Sequence, residues 1–100
     1  MGAHTFEDQA CSETAAGAFK ACCDQATYDE GHNPYNGTIS TNESFVIVPL
    51  LQGETLNEWR IRQWDNENIS KWGPCACVAD PDIPIENGIS LWHFAGWAAC

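Results

Sequence analysis

The sequence predicts a small α+β fold in which an N-terminal helix is joined by disulfides to a β-hairpin and a C-terminal segment. Apolar residues recur with a helical period near the N-terminus, and two strand-like runs follow in the middle of the chain. Six cysteines are divided between the first quarter and the last third of the 100 residues. We therefore expect residues 1–100 to form a single disulfide-stabilised domain.

Residues 5–25 predict one amphipathic helix. Cys11, Ala18 and Cys22 recur at positions that share one face of a helix with about 3.6 residues per turn. Thr5 is a suitable N-cap, and the acidic residues after it suit the positive end of the helix dipole. The predicted helix carries the first three of the six cysteines.

The cysteine count predicts disulfide bonds. In a continuous helix Cys11 would lie about 16 Å from Cys22, whereas a disulfide needs Cα atoms within about 7 Å. Each bridge should therefore join one of the first three cysteines to one of the last three, which leaves several pairings open. A zinc site is the alternative, but the paired C-x-x-C spacing typical of zinc sites is missing. The disulfide candidates are Cys11, Cys22, Cys23, Cys75, Cys77 and Cys100.

The middle of the chain predicts an antiparallel hairpin over residues 45–64. Residues 45–51 form an apolar run of strand type, in which Pro49 indicates an edge position or a bulge. A turn follows at 52–55, and residues 59–64 alternate like a second strand. The apolar segment 89–100 fits either a buried strand or a short helix.

The charge balance excludes several classes of partner. The chain has 14 acidic and 4 basic residues and a formal net charge of −10, whereas nucleic acids and anionic membranes bind basic patches. No apolar run is long enough for membrane insertion. Oxidised cysteines indicate a secreted, extracellular protein, and without an apolar leader we expect a mature form. Candidate N-glycosylation sites are Asn36, Asn42 and Asn68.

No catalytic motif or metal-ligand set stands out in the sequence. The three histidines lie apart from any known nucleophile motif, and His93 is expected to be a core or rim residue of an apolar run. We therefore predict a protein that is not an enzyme and requires no cofactor and no metal.

Basic and tryptophan side chains cluster in the second half of the chain, and both types are enriched at binding hot spots. Strand alternation would place Arg60, Arg62 and Trp64 on one face. The alternative is a hairpin with solvated arginines and core tryptophans. The predicted receptor-binding residues are Trp59, Arg60, Arg62, Trp64, Lys71 and Trp72.

The N-terminal cysteines stand in a distinctive context. A short acidic prefix, residues 6–10, precedes Cys11, and an Ala-Phe-Lys-Ala-Cys step leads to Cys22. In these features and in its acidic composition the chain resembles the secreted pheromones of Euplotes ciliates, which are compact helical disulfide proteins. The resemblance implies a diffusible mating-type signal that binds a cell-surface receptor protein, with self-association as a further property. The alternatives are a secreted fungal effector or toxin and an extracellular scaffold or carbohydrate-binding module.

Overall fold

A four-stranded β-sheet with a helix on each face forms the centre of the fold. The computed structural model describes residues 3–30, 38–66, 73–83 and 86–99. The α+β class predicted from the sequence is confirmed. In chain order the elements are β1 (Ala3–Ser12), α1 (Ala15–Glu30), a 3-10 turn (Ile39–Thr41), β2 (Phe45–Ile47), α2 (Leu56–Trp64), β3 (Cys75–Ala79) and β4 (Ser90–Ala99).

The strand order β1-β4-β3-β2 places β4 in the interior of the sheet and β1 and β2 at its edges. β1 and β4 are antiparallel over their whole length, from Ala3 opposite Ala99 to Ser12 opposite Ser90. β4 is also antiparallel to β3, whereas β3 is parallel to β2. Parallel strands need a crossover connection, which α2 provides. The edge position expected for the strand at Phe45 is confirmed, but β2 ends at Ile47 and so covers only the first part of the predicted run 45–51.

Alternate residues of β3 supply the cores on the two faces of the sheet. Cys75 and Cys77 are buried with Cys22 of α1 in one apolar cluster. Ala76 is buried with Trp59 of α2 in the other. Because successive strand residues point to opposite faces, α1 and α2 lie on opposite sides of the sheet.

The prediction of a helix over residues 5–25 is wrong in its first half, because residues 3–12 form β1. Alternate residues from Phe6 onward are half-buried, as in a strand with one covered face. Pairing with β4 over ten residues overrides a helical spacing that carries only a weak propensity. The helix begins at Ala15, where the Thr14 side-chain oxygen accepts a hydrogen bond from the Gly17 amide at 2.9 Å and caps the first turn.

This correction moves Cys11 away from the helix that carries Cys22 and Cys23. Cys11 is exposed on β1, four residues from Glu7, which forms an ion pair with Arg60 of α2. Cys11 and Glu7 share a strand face, so Cys11 lies on the α2 side of the sheet and Cys22 on the α1 side. The sheet, rather than the length of a helix, separates these thiols.

The second strand of the predicted hairpin, residues 59–64, is also wrong, because these residues belong to α2. The Thr55 side chain accepts a hydrogen bond from the Glu58 amide, and the Glu58 side chain accepts one from the Thr55 amide. This capping box fixes the start of the helix and outweighs a short alternation of polar and apolar residues. The buried residues Trp59 and Gln63 are four positions apart, as one helix face requires.

The sequence fitted either a strand or a short helix over residues 89–100, and the structure shows the strand β4 there. Phe94, Ala95 and Ala98 are each fully buried within it. Phe94 also contacts the rings of Phe19 and Phe45, with centroids 5.7 and 6.0 Å away, and so joins α1 and β2 to the centre of the sheet. In the described ranges, no helix has both the length and the apolar character that crossing a membrane requires.

Candidate functional site

The two arginines predicted to bind a receptor lie on α2, and both guanidinium groups are engaged within the protein. Arg60 Nε lies 3.0 Å from Glu7 Oε2. Arg62 donates two hydrogen bonds of 2.8 Å to the carboxylate of Glu54 and one of 3.2 Å to the Pro49 carbonyl. The hydrogen bonds from Arg62 lower the pKa of Glu54 despite the opposing effect of burial. This part of α2 therefore offers a partner little unpaired positive charge.

The tryptophans of the predicted binding set attach α2 to its neighbours. Trp59 is fully buried, and its Nε1 donates to the Val48 carbonyl at 2.8 Å. Trp64 is half-buried, and its Nε1 donates to the Phe6 carbonyl of β1 at 3.0 Å. These indoles bury apolar surface and satisfy their single donor, as core tryptophans do. They hold one side of α2 against the sheet.

The predicted strand face shared by Arg60, Arg62 and Trp64 is wrong, because the three residues lie on a helix. The structure brings Arg60 and Trp64 to one side of α2, four positions apart, and turns Arg62 towards Glu54. Lys71 and Trp72 lie outside the described residues. The receptor-binding role of the six residues stays a prediction.

A chain of polar groups connects α2 to β4 and to the residue after β3. His93 Nε2 lies 2.7 Å from Asp80 Oδ2, and the two side chains are 4% and 8% exposed. Arg60 Nη2 lies 3.3 Å from His93 Nδ1. Because a guanidinium can only donate, Nδ1 is the acceptor and Nε2 carries the proton that it donates to Asp80. The expected place of His93 in the core is confirmed.

Asp80 carries a negative charge in this row of hydrogen-bonded polar groups. Burial disfavours its charged form, but hydrogen bonds from His93 and from the amides of Asp82 and Ile83 outweigh burial and lower the pKa of Asp80. A catalytic Asp–His pair presents the other ring nitrogen to a nucleophile, whereas here that nitrogen faces Arg60. The arrangement fixes α2 to the sheet.

Four of the five described cysteines meet between α1 and β3. Burial raises the pKa of Cys22 to about 12 and that of Cys23 to about 11. It raises the pKa of Cys77 to about 12, and burial together with the neighbouring thiols raises the pKa of Cys75. The reactive form of cysteine is the thiolate, so these four thiols, with their raised pKa values, are poor nucleophiles in the folded protein.

The structure forms no disulfide among the five described cysteines, and Cys100 lies outside the described residues. The disulfide-rich character predicted from the sequence is therefore not seen in the described parts of the chain. Within the same ranges, no three side chains of the metal-binding types come together to hold a metal ion.

The prediction of a glycosylation site at Asn42 is wrong for the folded protein. Asn42 is 5% exposed, and its Nδ2 donates to the Trp97 carbonyl at 2.9 Å. A glycan would be attached to that same nitrogen and needs a surface position. Asn36 and Asn68 lie outside the described residues.

A groove that none of the sequence predictions indicated lies on the outer side of α2. The groove has a volume of about 660 Å³, and its charged lining consists of three carboxylates and one guanidinium, an excess of two negative charges. The signal that could have located it is the Thr-Leu-Asn-Glu capping box, which starts α2. The lining residues are Glu54, Glu58, Ile61, Arg62, Asp65 and Asn66.

Comparison of the chain with protein-family models, with curated proteins and with solved structures finds no match. The function is therefore inferred from the chemistry of α2 and of the cysteine cluster.

Proposed function

We propose that this chain is a secreted, diffusible signalling protein that binds a receptor protein on a cell surface, in the manner of the Euplotes pheromones that it resembles. The observation that carries the proposal is the outer side of α2, where exposed carboxylates and the half-exposed Ile61 line a groove. The inner side of the same helix is fixed by Trp59, Trp64 and Arg60. A rigid element of this kind suits specific recognition, because little order is lost on binding.

The cell-binding experiment uses protein labelled at its N-terminal amine and Euplotes cells of complementary mating types. We expect saturable binding that unlabelled protein displaces, together with the formation of mating pairs. Binding that rises linearly with concentration and is not displaced would contradict the proposal. Cell death in infiltrated leaf tissue without binding to the ciliates would support the fungal effector instead.

We propose further that α1 and β3 become joined by disulfides in an oxidising compartment. Cys22 and Cys23 are adjacent in α1, and Cys75 and Cys77 point to the same face of β3, so cross-links between the two elements are favoured over links within either one. Each disulfide forms when two thiols pass two electrons to a small-molecule disulfide, such as oxidised glutathione, and release two protons. Because the folded thiols are shielded, the exchange takes place while the chain is folding.

The disulfide prediction is tested on protein refolded with glutathione and digested without reduction. Mass spectrometry is expected to find peptides that join Cys22 or Cys23 to Cys75 or Cys77. Each such bridge closes a loop that stabilises the fold by about 4 kcal/mol in the chain-entropy model. The Cys11→Ser variant is the control and should retain these cross-links. A Cys22–Cys23 bridge, or Cys11 as the main partner of either residue, would contradict the proposal.

A further inference from the structure

We propose that the groove along α2 binds a cationic segment of the partner, in which a lysine or arginine side chain lies beside an apolar one. The inference rests on the proposed function, since it names the chemistry of the receptor segment. The residues predicted from the sequence to bind the receptor include the cationic Arg60 and Arg62. In the structure Arg62 is already paired with Glu54, and the unpaired charges of the groove lining are carboxylates.

The residues of the groove line up along one face of the helix. Glu58, Ile61 and Asp65 are spaced by three and four positions, so their side chains are neighbours on the surface of α2. Ile61 is 47% exposed between the two carboxylates. This alternation of negative and apolar groups complements a segment in which positive and apolar side chains alternate.

Both carboxylates have capacity for a bound cation. Glu58 uses one oxygen to accept the Thr55 amide at 3.1 Å, and a carboxylate offers further acceptor sites. Asp65 is the C-cap of α2, at the negative end of the helix dipole, where a bound cation is favoured. The net charge of −10 attracts cationic segments at longer range.

A second exposed apolar residue lies near the Arg62–Glu54 ion pair of the groove wall. Leu51 is 59% exposed, and its backbone amide donates to Glu54 Oε1 at 3.0 Å, although its side chain does not line the groove. The paired Arg62 forms part of the wall and does not repel a cation as a free guanidinium would. The partner therefore meets a neutral ion pair, the apolar side chain of Ile61 and two further carboxylates.

The probe is a fluorescein-labelled peptide of alternating arginine and leucine, and binding is measured by fluorescence anisotropy at increasing salt. The comparison peptide carries glutamate in place of arginine. We expect the cationic peptide to bind the wild-type protein and to lose affinity as salt rises, whereas the acidic peptide does not bind.

The groove variant combines Glu58→Gln with Asp65→Asn, changes that keep side-chain size and leave a glutamine able to complete the capping box. It is expected to bind the cationic peptide about tenfold more weakly, as loss of two charge-assisted contacts predicts. The matched control combines Glu13→Gln with Glu86→Gln, two exposed carboxylates outside α2, and removes the same net charge. Its affinity should remain close to that of the wild type.

Equal weakening in the groove variant and the control would overturn the inference, because the field of the whole protein would then account for binding. Equal binding of the cationic and acidic peptides would also overturn it. Wild-type protein that binds cells but not the cationic peptide contradicts this inference alone. Wild-type protein that binds the peptide but no cell contradicts the proposed function.

Discussion

Replacing Trp59 with alanine is expected to lower the free energy of unfolding by about 4 kcal/mol. Trp59 is fully buried and packs in a cluster with Ala76, Val78 and Ala95. Truncation leaves a large cavity between α2 and the sheet and removes the donor that satisfies the Val48 carbonyl. Urea denaturation followed by far-ultraviolet circular dichroism measures the change.

Two further variants show which part of Trp59 matters. Trp59→Phe keeps most of the buried ring and loses the indole hydrogen bond, so we expect a loss of about 1–2 kcal/mol. Ile61→Ala, on the exposed side of the same helix, should cost less than about 1 kcal/mol beyond the change in helix propensity. If Trp59→Ala destabilised the protein no more than Ile61→Ala, the packing of α2 described above would be wrong.

Replacing Asp80 with alanine is expected to cost about 3 kcal/mol at neutral pH. The change removes the acceptor of the buried His93 Nε2 proton and the acceptor of two backbone amides, those of Asp82 and Ile83. A buried donor without a partner is costly because its hydration has been lost. Asp82→Ala, two residues along the chain, alters an exposed side chain and serves as the control, with an expected effect below about 0.5 kcal/mol.

The contribution of Asp80 to stability depends on pH with a defined sign. Its pKa in the folded protein lies below the ordinary value of 3.8, because hydrogen bonds to the carboxylate outweigh burial. The stabilisation is therefore present in full above the pKa of the unfolded chain and is lost as pH falls through the lower, folded pKa. The stability gap between wild type and Asp80→Ala should shrink below pH 3.8. A gap as large in strong acid as at neutral pH would contradict the role assigned to the carboxylate.

The elements that the sequence predicted correctly are those whose local signals agree with their tertiary surroundings. The apolar run at Phe45 lies in an edge strand, and the nearby Pro49 agrees with a place at the margin of the sheet. The first half of the predicted helix failed because β4, which pairs with β1, lies at the other end of the chain. The local spacing of apolar residues carries no information about pairing with a strand so far along the chain. For α2, the sequence contained two conflicting signals. The alternation of residues 59–64 predicted a strand, whereas the Thr55–Glu58 capping box favours a helix, and the helix forms.

The sequence pointed to the stretch that forms α2, but it did not show which charges of this helix are paired within the protein. The arginine and tryptophan residues predicted a binding surface in the stretch that forms α2, and the structure has a groove on that helix. In the structure Arg60 pairs with Glu7, which lies in β1, and Arg62 pairs with Glu54 across the turn before the helix. Ion pairs of this kind depend on the fold, so composition alone does not reveal which charges face a partner.

Binding of labelled protein to responsive cells tests the proposed recognition role of α2 most directly. The comparison includes wild type, the groove variant Glu58→Gln with Asp65→Asn, and the charge-matched control Glu13→Gln with Glu86→Gln. We expect wild type and control to reach half-saturation at the same concentration, and the groove variant to need about tenfold more protein, the equivalent of about 1.4 kcal/mol. Half-saturation of the folded groove variant at the wild-type concentration would contradict the assignment of the acidic groove on α2 as the receptor-binding surface.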